Sequence, residues 1–287
     1  MIKIGKHTIG RNYPIYVIAE IGINHNGDMQ LVTNLIDEAH SAGADAVKFQ
    51  KRTPEICVPE KQKSIERDTP WGRITYLEYK QKIELSKENY NYINEYCKRK
   101  GIDWFASCWD LESLKFIRNF NPVAYKIASA SLTDQKLLKE HAVLEQPIIL
   151  STGMSTMEEI KKAEQILSDT NLLIAHSTSA YPCKSEELNL NVIPTLMKEF
   201  NHPIGYSGHE LGIQTTLAAC VLGACFIERH FTLDRSMWGT DQAASLEPTG
   251  LKKLIRDIKV LEKSLGDGVK KVYDSEKLIL NKLRLVK

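Results

Sequence analysis

A chain of 287 residues, 43% hydrophobic and 26% charged, is long enough to bury one large core, and this composition excludes a disordered or fibrous protein. A formal net charge of +2 removes the electrostatic case for nucleic acid or an anionic membrane as partner. Cys57, Cys97, Cys108, Cys183, Cys220 and Cys225 form no CxxC pair, no run reaches transmembrane length and Met1–Lys6 has no signal-like apolar core, so reduced thiols and a cytoplasmic location are expected.

Residues 1–15 alternate apolar and polar through Ile2, Ile4, Thr8 and Ile9, which predicts a short hairpin ahead of the main fold. Tyr16–Gly22 reads as a buried strand broken by one acid, Glu20. Asp28 can cap the next helix, Val32, Leu35, Ile36 and Ala39 share its apolar face, and Gly43 ends it. Ala46–Gln50 is the second strand. The polar stretch Lys51–Lys82 is too long for an ordinary connection and is read as a flap over the site.

Six further strands are predicted, over residues 103–109, 124–129, 147–153, 172–179, 203–207 and 226–232. Helices alternate with them, the one after residue 154 opened by a capping box running from Ser155 to Glu158, and the last spanning 249–265. Residues 266–287 form a basic tail. Eight nearly continuous apolar strands alternating with helices, without a composition break, predict an α/β protein, a single (β/α)8 TIM barrel over 16–265. A doubly wound open sheet is the alternative, but no GxGxxG or P-loop pattern supports its nucleotide-binding versions.

In such barrels chemistry sits where strands end. The strand ends here carry Glu20, Lys48 with Gln50, Ser107, Lys126 with Ser129, Ser151, Ser179 with Tyr181, Ser207 with His209, and Glu228 with His230. A lysine within an apolar strand must meet an anion, because an isolated buried ammonium loses several kcal/mol of hydration (about that order). Lys48 and Lys126 therefore either pair with Glu20 and Glu228 or await a substrate with two anionic groups, such as a phosphate and a carboxylate. His209 and His230 end the seventh and eighth strands in equivalent positions. Either histidine alone would be read as a packed strand-end residue, but as a pair they make an open site for a borderline divalent ion that still binds substrate.

Taken together, Ala19–Gly27, Val47–Gln50, Tyr125–Ser129, Ile149–Met154, Tyr206–His209 and Glu228–Thr232 resemble, in the same order, the motifs of the sialic acid synthase (N-acetylneuraminate synthase) family, over residues 15 to 265. The resemblance implies a transferase that joins phosphoenolpyruvate to an open-chain hexosamine-type sugar, giving a nonulosonic acid and phosphate. It implies that His209 and His230 hold a divalent metal, manganese first, with magnesium or cobalt as alternatives. It implies that Lys48, Lys126, Ser129, Ser151 and Ser207 form the phosphoenolpyruvate pocket. Glu20 and Asp241 would handle protons and position the sugar, and Gln50 and Tyr181 would touch it. Cys108, Ser179 and Gly208 depart from the family's usual threonine, asparagine and acid. Typical members pair as homodimers and continue into a small antifreeze-like domain, which this chain, ending at Lys287, is expected to lack. A Schiff-base aldolase using Lys48 or Lys126, and a non-catalytic sugar- or metal-binding barrel, are the competing readings.

Overall fold

The computed structural model of the chain describes residues 1–286. Eight parallel strands close into a barrel: β1 (Tyr16–Gly22), β2 (Ala46–Lys51), β3 (Asp103–Cys108), β4 (Tyr125–Ile127), β5 (Ile148–Ser151), β6 (Leu172–Ser177), β7 (Ile204–Gly208) and β8 (Phe226–His230). Each pairs with its chain neighbours, and β8 returns to β1 through pairs such as Ile227 with Val17. A helix follows every strand: α1 (Met29–Ala42), α2 (Lys87–Lys100), α3 (Leu111–Arg118), α4 (Gln135–Ala142), α5 (Met157–Leu167), α6 (Val192–Glu199), α7 (Gln214–Val221) and α8 (Pro248–Leu265). This is the (β/α)8 barrel that the alternation predicts.

Because successive strand residues point to opposite faces, each strand contributes two different surfaces. One face carries Val17, Ala19, Ile21, Val47 and Phe49, which pack with Val32, Leu35 and Ile36 of α1 in the layer between barrel and helices. The other face points into the barrel. At the bottom, Tyr16, Ile18, Ala46, Phe105, Ile149, Leu173 and Phe226 fill the interior, and Ile4 and Ile9 of the N-terminal hairpin (Ile2–Ile4 with His7–Ile9) close it from below. Gly205 belongs to this layer; any Cβ there would collide with the Phe226 ring.

The next inward positions, two residues along each strand, are Glu20, Lys48, Ser107, Lys126, Ser151, Ser177, Ser207 and Glu228, and all eight are buried. A polar ring on top of an apolar plug cannot be explained by core packing, which favours branched aliphatics at such positions.

Local boundaries differ from the expectations in places. The fourth strand ends at Ile127, because residues Ser129–Ser131 turn into a 3-10 helix, and the strands predicted to reach 179 and 232 stop at Ser177 and His230. The capping box of α5 is Thr156 with Glu159, one residue later than Ser155 with Glu158. Residues 51–83 are a folded excursion: two helical turns, an antiparallel hairpin (Glu66–Thr69 with Gly72–Thr75) and a helix, Tyr76–Ile83. It docks on the loop after β8, with Tyr79 and Trp71 edge-on to Trp238 at 5.0 and 6.0 Å. The tail carries an exposed helix, Asp274–Leu283. Among the described residues no helix is long and apolar enough to cross a membrane.

Candidate active site

Thirteen of the fourteen side chains singled out from the sequence line one cleft of about 180 Å³ at the C-terminal end of the barrel. Asp241 is the exception. It follows β8 in a loop outside the cleft wall, with a carboxylate oxygen 3.8 Å from His230 Nδ1. The excursion does not line this cleft either.

At the cleft floor the two lysines are paired inside the barrel. Lys48 Nζ lies 2.7 Å from Glu20 Oε2 and 3.5 Å from Glu228, and donates to Ser107 Oγ at 2.8 Å. Lys126 Nζ donates to both oxygens of Glu228, at 2.9 and 2.8 Å, and the Ser207 hydroxyl adds a third hydrogen bond to that carboxylate, at 3.2 Å. Both lysines are therefore ammonium ions rather than free amines, which speaks against an imine-forming nucleophile. The two carboxylates part company. Burial raises Glu20, to about 7, and Glu228 adds repulsion, which Lys48 and the Gln50 hydrogen bond do not offset. Burial would raise Glu228 as well, but Lys126 and Lys48 together overcome it and hold it low. The lysines diverge for the same reason. Burial lowers Lys126, which has one carboxylate and feels Lys48, whereas two carboxylates override burial and raise Lys48.

Beside this ion cluster, β5 and β6 build a cradle of hydroxyls. Ser151, Ser177 and Ser179 each hold a buried Oγ without any hydrogen-bond partner. An unmet buried hydroxyl costs about 1–3 kcal/mol, so three at the ends of β5 and β6 mark a place for an acceptor. Gly153 closes the cradle. Its N–H donates to Ser129 Oγ at 3.0 Å, and a Cβ there would collide with Ser179 Oγ and lie 2.8 Å from Ser129 Oγ. Hydroxyl donors next to two ammonium groups suit an oxyanion such as phosphate or carboxylate.

The histidines stand at the rim, their ring centroids 5.4 Å apart, with Tyr181 packed on His209 at 4.2 Å. His209 Nδ1 is 2.8 Å from the Thr178 carbonyl; a carbonyl only accepts, so this nitrogen carries the proton and Nε2 keeps a free lone pair. Burial lowers both rings, His209 to about 4, so neutral imidazoles face the cleft. His230 Nδ1 is buried without a hydrogen-bond partner. Among the described residues no cluster of three or more histidine, cysteine or acidic side chains stands at metal-binding spacing. A metal here would therefore rest on the two imidazoles alone, with its other positions left to water and substrate oxygens.

Sequence reasoning passed over the frame behind these histidines. Arg229 Nη1 donates to Glu210 Oε1 at 3.0 Å and to Thr216 Oγ1 at 2.6 Å, and Tyr206 donates to Glu210 Oε2 at 2.8 Å. This buried pair ties the residue after His209 to the residue before His230. It also passed over Arg52, although the period-two pattern of Lys48 and Gln50 extends to it; Arg52 Nη2 donates to Gln50 Oε1 at 2.5 Å.

Comparison with known proteins meets this geometry from another direction. The NeuB family profile matches residues 35–270. N,N'-diacetyllegionaminic acid synthase of Campylobacter jejuni is 38% identical over 275 residues, covering 93% of this chain and 82% of that protein. Human N-acetylneuraminate-9-phosphate synthase is 37% identical over 282 residues, covering 96% and 78%. The crystal structure of an N-acetylneuraminic acid (sialic acid) synthetase from Leptospira borgpetersenii, in complex with citrate, superposes with a TM-score of 0.87 at 33% identity, covering 99% of this chain and 98% of that one. With the profile spanning most of the barrel and the relatives nearly all of the chain, this protein belongs to the NeuB family.

Proposed function

We propose that the cleft condenses phosphoenolpyruvate with the open-chain aldehyde of a hexosamine-type sugar, giving a nonulosonic, sialic-acid-like 2-keto-3-deoxy acid and inorganic phosphate. The observation that carries this reading is the hydroxyl cradle of Ser151, Ser177 and Ser179, unpartnered beside Lys48 and Lys126 and opening toward two neutral histidines. The names of the relatives agree, since they are synthases of legionaminic acid and of N-acetylneuraminate 9-phosphate.

In this reading Lys48 and Lys126 exchange their carboxylate partners for the two anionic groups of phosphoenolpyruvate, and Ser129, Ser151, Ser179 and Ser207 donate to them. Glu20, Gln50 and Tyr181 face the acceptor. C3 of phosphoenolpyruvate bonds to the aldehyde carbon, and the aldehyde oxygen takes up a proton. Water then adds at C2, and the C2–O bond to phosphate breaks. Glu20, poised near neutral, is the group able to deliver or accept a proton at the acceptor oxygen or the water. Asp241, its carboxylate 3.8 Å from His230 Nδ1, orients that imidazole and the sugar. His209 and His230 would hold a divalent metal, manganese by preference, which would supply Lewis-acid polarisation of the aldehyde.

The experiment is phosphate release from phosphoenolpyruvate with Mn2+, across free and phosphorylated N-acetylmannosamine, mannose and related amino sugars. Release is expected only with a sugar present, and is expected to vanish with chelator and in His209→Ala and His230→Ala. Sugar-independent release, or full activity in either histidine variant, would sink the reading.

A further inference from the structure

A second cavity, of about 450 Å³, adjoins the cleft and shares Trp109 and Ala130 with it as common wall. Its other side is built by the excursion and carries two cations, Arg52 and Lys80, each more than nine-tenths buried. Among the described residues neither has a carboxylate within ion-pair distance, whereas Lys48, Lys51, Lys126 and Arg229 each do. Arg52 stacks on Trp109, its Cζ 3.9 Å from the ring centroid; Nη2 is held by Gln50, and Nη1 is buried with no partner. Lys80 sits over the rings of Tyr79 and Tyr76, at 4.9 and 5.3 Å, and makes no hydrogen bond.

The acids near this pocket are engaged elsewhere. Glu84 and Asp241 reach Lys80 only from beyond ion-pair distance: Glu84 pairs with Lys51 at 2.9 Å, and Asp241 accepts from Thr240 and lies 3.8 Å from His230. Asp134, on the pocket wall, caps α4 through the N–H groups of Lys136 and Leu137. Two buried cations side by side repel one another and have given up hydration, so the arrangement holds a deficit that an anion would relieve. Gln50 connects the two chambers: it lines the first cleft, binds Glu20 there, and grips Arg52 of the second.

We propose that the Arg52–Lys80 pocket receives a second anionic group, a phosphate carried by the acceptor sugar at the end remote from its aldehyde. The proposal rests on the synthase reading above and narrows it: the acceptor is a sugar phosphate rather than a free sugar. Trp109, under Arg52, would contact the apolar face of the chain between aldehyde and phosphate.

The test compares wild type, Lys80→Met and Lys80→Arg with phosphoenolpyruvate, Mn2+ and either N-acetylmannosamine or its 6-phosphate. Wild type is expected to use the phosphorylated acceptor with kcat/KM about a hundredfold higher, the scale of a pair of charge-assisted contacts. Lys80→Met should cut that preference by about tenfold with KM for phosphoenolpyruvate unchanged, and Lys80→Arg should keep it. Lys80→Met removes an unpaired buried ammonium, so thermal unfolding is expected to show an intact fold. Equal use of both acceptors by wild type, or a parallel loss on both in Lys80→Met, overturns the proposal. If neither acceptor reacts, calorimetry with N-acetylmannosamine 6-phosphate alone decides. Binding that Lys80→Met weakens upholds the anion pocket while the synthase reading falls, and absence of binding overturns the pocket.

Discussion

Lys126 on β4 reaches across the barrel to Glu228 on β8 and grips both carboxylate oxygens, at 2.9 and 2.8 Å. The pair is buried on both sides, so its two members must be considered together. Removing one partner strands the other charge in a low-dielectric interior, which typically costs about 3–5 kcal/mol, whereas removing both can be nearly neutral. Lys126→Met is therefore expected to lose stability on that scale and Lys126→Met/Glu228→Gln to regain most of it. Phosphoenolpyruvate-dependent turnover should stay lost in both, because the ammonium is needed for the substrate's anion. Urea unfolding and phosphate release on the same preparations check this. A double variant as unstable as the single one would show that the pair is not self-contained.

Gly153 has no left-handed backbone angle to excuse it from bearing a side chain. Its constraint is space, since Ser129 and Ser179 occupy the volume a methyl would need. Gly153→Ala should push those hydroxyls out of the cradle while leaving the barrel folded. The expected result is weaker phosphoenolpyruvate binding by calorimetry, on the order of a hundredfold, the scale of two lost hydrogen bonds to a charged group. Unchanged affinity would mean the anion sits elsewhere in the cleft.

The barrel could be read from the chain because its strands alternate two surfaces, and the polar ring interrupts that alternation at the same height in every strand. Glu20, Lys48, Lys126 and Glu228 stand out for that reason: charge in an apolar run has no packing explanation. Where periodicity ends, so does legibility. Arg52 and Lys80 belong to an excursion whose path no repeat predicts, and their lack of an ion-pair partner among the described residues is a fact of three-dimensional packing. Asp241 was reached by resemblance, and the structure sets it behind His230 rather than in the cleft wall. The capping box of α5 failed for a different reason. Ser155, Thr156, Glu158 and Glu159 offer two overlapping registers of the same motif, and only the helix start selects Thr156 with Glu159.

His141 offers a test far from the chemistry. It lies fully buried in α4, donates from Nδ1 to the Leu137 carbonyl at 2.8 Å, and leaves Nε2 without a partner. Burial holds it at about 4 instead of its ordinary 6.5. Between those values the unfolded chain binds the proton and the folded chain does not, so stability falls as pH drops through that window. The full effect is about 3 kcal/mol for one such group. Leucine fills similar volume and needs no partner for Nε2, so His141→Leu should unfold at a similar urea concentration to wild type at pH 8. From pH 8 to about pH 5 the stability difference should move by about 2 kcal/mol in the variant's favour. His25, His176 and His209, also lowered by burial, keep their own acid sensitivity in both proteins, so the comparison isolates the one ring. A difference that does not change with pH would place the proton of acid unfolding on another residue.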